Sequence, residues 1–187
     1  MKSNILISDD DGIVMIVSAN SLKKRYTNQS FDYDFPNALV EGMNAKELVC
    51  VSTDGGGLIE IVVEQNPRDE TEVMMSALHK SGWTVFPPLQ LKIGRKDELL
   101  VLPYSQYTFA ADMSKGEVDV IEGLSSRNQI EEGLYDVYFA HLLELEDLLG
   151  DNDDNREFPD RLVRFILVPA NDEREVQVDG VPGISYT

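Results

Sequence analysis

Asp9 and Asp11 close the apolar run Ile5 to Ser8 and are followed by Gly12. An apolar strand ending in Asp-x-Asp-Gly suits phosphoryl transfer. One carboxylate at the strand tip attacks phosphorus or binds Mg²⁺, the second works as acid and base, and the glycine turns the chain away. Asp151, Asp153 and Asn155 have the spacing of the first oxygen ligands of a calcium loop. That match ends at Arg156, where glycine is needed, and at Leu162, where a bidentate glutamate is needed, so a solvated acidic loop is the better reading. His79 and His141 are the two histidines, and neither has a partner at metal-ligand spacing. His79 is expected on a helix surface. Gly55-Gly56-Gly57 lacks the lysine and serine of a phosphate cradle and reads as a turn. Cys50 is alone within the apolar Leu48 to Val51, which excludes an intrachain disulfide and predicts an inert buried thiol.

The elements that must position these residues are mostly strands. Trp83 to Phe139 carries apolar residues in alternation at Leu89, Leu91 and Ile93, then Leu100 and Leu102, then the runs Phe109 to Met113, Val118 to Ile121 and Leu134 to Phe139. Turn residues at Gly94, at Ser114-Lys115-Gly116 and at Gly123 separate them, which is the spacing of an antiparallel sheet. Asn4 to Ser8 and Ile13 to Ala19 flank Asp9-Asp10-Asp11-Gly12 as one hairpin; Leu48 to Ser52 and Leu58 to Val63 flank Thr53-Asp54-Gly55-Gly56 as a second. Ser21 to Tyr26 reads as one helical turn or a loop. A short helix is expected after Pro36, through Ala38, Leu39 and Met43. A longer one is expected from a capping box at Asp69 and Glu72 to Gly82, with Val73, Met74, Ala77 and Leu78 on its apolar face. Leu142 to Leu149 reads as a short amphipathic helix or irregular strand, Leu162 to Val168 as a closing strand, Val176 to Val178 as a weaker one, and the tail from Val181 as an edge or frayed end. The fold class is therefore α+β, mainly β: an antiparallel sheet or β-sandwich of about nine to eleven short strands with one or two short helices, in one domain spanning 1–187.

Ile5 to Val14 resembles the first motif of the haloacid dehalogenase superfamily and the N-terminal strand of the survival-protein nucleotidases. The resemblance implies a Mg²⁺-dependent phosphohydrolase with Asp9 as nucleophile, Asp11 as acid and base, Ser52 or Thr53 as the second motif's hydroxyl, and Asp151 or Asp154 as metal ligand. Against it, a β-branched strand and not a helix follows Gly12, and those families need a parallel sheet wrapped in helices. A hairpin turn built on Asp-Gly is the favoured reading of the motif.

Charge points elsewhere. Thirty-four acids against sixteen bases give a net charge of −18, which repels nucleic acid and anionic membranes and favours a basic partner. Between Glu117 and Asp160, fourteen acids face only Arg127 and Arg156. No run approaches the roughly 18 apolar residues of a membrane span, and Met1 to Ser8 has no leader pattern, so a cytoplasmic protein starting at Met1 is expected. Chain size, the lone cysteine, the absence of a complete catalytic set and the course from Val118 to Phe139, with Gly133-Leu134-Tyr135-Asp136-Val137 opening the last strand, resemble the small acidic immunity and nuclease-inhibitor proteins of bacteria. That resemblance implies a non-catalytic protein, without cofactor or metal, that neutralises a basic toxin or nuclease by electrostatic occlusion. The expected partner-binding residues are Glu144, Glu146, Asp147, Asp151, Asp153 and Asp154, with Tyr104 and Tyr107 beside Pro103 as contact aromatics in a polar loop. The oligomeric state is left open.

Overall fold

The computed structural model describes residues 2–143, 159–175 and 178–184. In chain order the elements are β1 (Lys2–Asp9), β2 (Ile13–Ser18), α1 (Ala19–Asn28), α2 (Asn37–Asn44), β3 (Leu48–Ser52), β4 (Gly57–Gln65), α3 (Arg68–Lys80), β5 (Thr84–Ile93), β6 (Glu98–Pro103), α4 (Tyr104–Met113), β7 (Ser126–Gln129), β8 (Gly133–Leu142) and β9 (Arg161–Pro169). The chain is α+β and mainly β. Five strands form one sheet in the order β1-β4-β9-β8-β5, and four form a second in the order β3-β2-β6-β7.

The layers follow from burial. Every position of β2 and β3 is buried, as expected for strands covered on both faces. The inner faces of the two sheets share one core that includes Ile7, Ile61, Leu91, Phe139 and Phe165 from the larger sheet and Ile16, Val49 and Val101 from the smaller. α1, α2 and α4 cover the outer face of the smaller sheet, and α3 covers β5, β8 and β9 of the larger. Under α3 lies a satellite cluster of Met75, Ala140 and Ile166, edged by Met74, Leu78 and Trp83. Among the described residues, the result is two sheets between α3 on one side and α1, α2 and α4 on the other.

Both expected hairpins are corners between sheets. β1 pairs with β4 and β2 with β3 and β6, so the Asp-Gly turn carries the chain from the larger sheet to the smaller. The turn after β3 carries it back. The alternating patterns specify which face of each strand is buried but not which strand lies beside it. Among the described strands one pair is parallel: β9 inserts between β4 and β8, with Ile59 opposite Arg161 and Gln65 opposite Leu167.

Two helices lie where one helical turn or a loop, and a strand, are expected. In α1, the Ser18 hydroxyl caps the helix by accepting from the Ser21 N–H at 3.1 Å, and Leu22 and Tyr26 bury one face a turn apart. In α4, Pro103 precedes a helix that buries Tyr107, Ala110 and Ala111 at helical spacing. The short run Phe109 to Met113 fits either period, and alanine with helical burial decides for the helix. Val118 to Ile121, also expected as a strand, is irregular. α3 forms where expected, but its N-cap is Pro67 and no side-chain capping bond is made, so Asp69 sits in the first turn, where a carboxylate favours the helix dipole. Its inward face centres on the buried Thr71 and Met75, with Met74 and Leu78 partly buried; Val73 and Ala77, expected on the apolar face, are exposed. Trp83 to Ile93 is nearly one continuous strand, with a register shift between Phe86 and Leu89 at Pro87-Pro88.

Among the described residues no helix is long and apolar enough to cross a membrane. The expected elements at Leu142 to Leu149 and Val176 to Val178 lie largely outside the described residues.

Candidate functional site

The acids expected to meet a partner, Glu144, Glu146, Asp147, Asp151, Asp153 and Asp154, lie outside the described residues. Within the same acid-rich window Asp119, Glu122, Glu131 and Glu132 are exposed. Asp136 is not a surface charge: it is buried, and its two oxygens take Arg68 at 2.5 Å and Arg174, with the Gln90 amide at 3.0 Å. Burial alone would raise its carboxyl, but the donors from Arg68, Gln90 and Arg174 outweigh this and hold it below the usual aspartate value.

Tyr107 does not belong to a contact surface. It is 1% exposed, because α4 turns it into the core, where its hydroxyl pairs with that of Tyr26 at 2.9 Å. Burial pushes both hydroxyls above the ordinary tyrosine value. Tyr104 opens α4 and is half-buried, its ring meeting Phe35 edge-on at 5.8 Å. Burial raises its hydroxyl, and the charges of Asp11 and Asp32 add to the effect.

The two sheet-crossing corners are packed against one another. The Gly12 carbonyl accepts from the Thr53 N–H at 2.8 Å and from the Ser52 hydroxyl at 3.3 Å. A Cβ on Gly12, whose φ is +69°, would lie 2.6 Å from the Gly55 nitrogen, and one on Gly56 would lie 2.6 Å from the Asp9 carbonyl oxygen. The glycines are there because two backbones touch. Asp9 serves the corner as well. It is 1% exposed, one oxygen accepts from the Asp11 N–H at 3.2 Å, and the other is buried without a hydrogen-bond partner among the described residues. Burial pushes its carboxyl above the ordinary value, with Asp11 adding and the N–H groups of Asp11, Gly12 and Ile13 opposing. Thr53 donates to the Gly55 carbonyl at 3.2 Å, which closes the second turn. Residues that the phosphohydrolase resemblance enlists are thus engaged in turn closure, and β1 is an antiparallel edge strand.

His141, at the end of β8, reaches the same corner. Its Nδ1 is 2.8 Å from the Ser52 carbonyl oxygen, so Nδ1 carries the proton, and its ring meets Phe86 edge-on. Burial lowers its pKa against the weaker pull of the Ser52 carbonyl and the Asp54 charge. The Pro182 carbonyl accepts from the Ser52 N–H at 2.8 Å and ties the C-terminal segment to the corner.

Beside this corner the surface turns aromatic. The segment from Phe31 to Phe35 lies along α4, with Phe31 against Tyr26, Tyr33 and Tyr107, and with Asp112 raising the Tyr33 hydroxyl above its ordinary value. Tyr33 is 68% exposed, Phe109 58% and Met113 70%; Phe35 is also exposed. Phe109 and Met113 stand one turn apart on the outer face of α4, with Asp112 between them in sequence. Asp32 and Asp34 are exposed on the first of these segments, and Asp10 and Asp11 on the turn after β1, where Asp11 shares a cleft with Phe35 and Tyr104. Residues 3–22, 26–45, 47–67 and 97–114 contain no lysine or arginine. Sequence reading singled out Tyr104 but missed Tyr33, Phe35, Phe109 and Met113. Their signal was the aromatic-acid alternation Phe31-Asp32-Tyr33-Asp34-Phe35, which has the period of a strand but is bounded by turn formers.

No family model matches the chain, and no curated protein matches it. Among solved structures it is similar to a protein described as crocagin biosynthetic gene J, with 12% identity and a TM-score of 0.51 over 89% of this chain and 96% of that one. At that identity the likeness concerns the fold alone.

Proposed function

We propose that the chain is an acidic, non-catalytic binding protein of the immunity or inhibitor kind, which neutralises a basic toxin or nuclease in the cytoplasm by covering its cationic surface. The observation that carries this reading is the exposed patch of Tyr33, Phe35, Phe109 and Met113, bordered by Asp10, Asp11, Asp32, Asp34 and Asp112. Exposed aromatic and methionine side chains supply the apolar centre of an interface, and a surround of one charge sign selects a partner of the other and steers its approach. Asp119, Glu122, Glu131 and Glu132 add to the same field. A buried Cys50, whose thiol is pushed far above its ordinary value by burial, fits a protein that needs no redox chemistry.

The test is binding to the product of an adjacent toxin or nuclease gene. The association rate should fall about tenfold or more between low and high salt. Replacing Tyr33, Phe109 and Met113 together by alanine should weaken binding about a hundredfold, as for loss of a central apolar cluster. A rate indifferent to salt, or an unaffected patch variant, would remove the reading. So would Mg²⁺-dependent turnover of a generic phosphoester that disappears in Asp9→Asn.

A further inference from the structure

Between the paired corners and the start of α4 lies a cleft of about 420 Å³. Asp11 and Asp54 stand on its two turns, Phe35 and Tyr104 form an aromatic wall, and Ile13 and Ile184 give it an apolar lining. This size falls within the range of small-ligand sites, and its mixed chemistry restricts what can enter.

Neither Asp11 nor Asp54 has an ion-pair partner among the described residues. An anion would meet two like charges. A neutral apolar group would strip water from the carboxylates and return nothing. A cation gains from both acids and from the aromatic rings of Phe35 and Tyr104, which line the cleft and meet at 79°. The apolar residues fit a methylene stem behind a charged head. A guanidinium matches better than an ammonium, because its flat fork binds carboxylate oxygens while its plane stacks on a ring. The corner already accepts one guanidinium from its own chain: Arg161 donates to the carbonyls of Gly56 at 2.5 Å and Asp54 at 3.5 Å.

We propose that this cleft is an anchoring pocket for one arginine side chain of the basic partner, held by Asp11 and Asp54 and stacked against Phe35 and Tyr104. The assignment rests on the reading that the partner is basic, and it places a defined hot spot at the edge of the aromatic patch.

The probe is N-acetyl-L-argininamide, titrated into the isotope-labelled full chain, with N-acetyl-L-citrullinamide as a neutral control of nearly the same shape. The arginine compound should give saturable shifts at the amides of Gly12, Asp54 and Gly55, and the citrulline compound should not. Asp11→Asn with Asp54→Asn, and separately Tyr104→Ala, should each weaken its binding about tenfold or more, as loss of charge-assisted hydrogen bonds or of a cation-ring contact predicts. Thermal melting of each variant confirms that the fold persists. Equal shifts from the two compounds, or unchanged affinity in the double aspartate variant, would overturn the pocket. The same double variant then separates this idea from the broader one. A basic partner that binds with steep salt dependence but ignores Asp11 and Asp54 removes the pocket alone, whereas failure of any basic partner to bind removes the broader reading.

Discussion

Replacing Gly12 by alanine tests whether the Asp-Gly turn is a packed structural corner. Two costs are expected. The φ of +69° is left-handed, which costs a residue with a Cβ about 1–2 kcal/mol. The added Cβ would also lie 2.6 Å from the nitrogen and 2.9 Å from the Cα of Gly55. Both are backbone atoms, so no side chain can swing aside, and forced repacking of this kind costs about 1–3 kcal/mol. The sum is about 2–5 kcal/mol, a large part of the roughly 5–15 kcal/mol that holds a typical domain together. Gly82→Ala supplies the control: its φ of +87° carries the conformational cost, but nothing lies within 4 Å of its Cβ position. Urea unfolding of both variants at one temperature should therefore show Gly12→Ala less stable than Gly82→Ala by about 1–3 kcal/mol, the contact cost alone. Variants that agree within about 0.5 kcal/mol would refute the packed corner, since only the shared φ cost would then be acting.

Two further outcomes concern buried ionisable groups. Asp136→Ala should lower stability by about 2–3 kcal/mol in a urea melt, because Gln90 loses a buried acceptor while the half-exposed Arg68 and Arg174 return to water. The Asp136 carboxyl is held below its ordinary 3.8, so its contribution is present above that pH and is lost as pH falls through the lowered value; the alanine variant should lack that part of the acid slope. His141 has its pKa lowered from 6.5, so the unfolded chain takes up a proton first. Stability should be full above 6.5 and decline below it until the folded-state value is passed, and unfolding curves on either side of 6.5 should show this in the parent and not in His141→Gln.

Much of the fold is legible in the chain, because alternation and turn residues report local geometry. Leu48 to Ser52, Leu162 to Val168 and the helix ending at Gly82 all form where their patterns place them. Partner choice is not local. Nothing in Ile59 or Arg161 says that they will lie side by side in a parallel pair, and the same Asp-Gly turn serves a hairpin or a corner equally well. Tyr107 shows the limit for the site. A tyrosine among polar neighbours reads as surface, yet three residues later Ala110 shares its buried face, while Tyr104, three residues earlier at the start of the helix, is only half-buried. Phe109 and Met113 fail in the opposite direction: as a strand they would be core, and as helix residues they face outward.

The place of β9 has a consequence for how the chain is made. It is the last described strand in sequence and the middle one of its sheet. The smaller sheet has all four strands once Gln129 has been synthesised, but β4 and β8 each keep an open edge until Arg161 to Pro169 follows. Closing so long a loop onto a parallel partner is slow, and open apolar edges invite association with other chains. The stretch made just before β9 is Glu117 to Asp160, with its fourteen acids. Its charge accumulates on the nascent chain during that interval, so like-charge repulsion between chains increasingly opposes edge-to-edge pairing until the missing strand arrives.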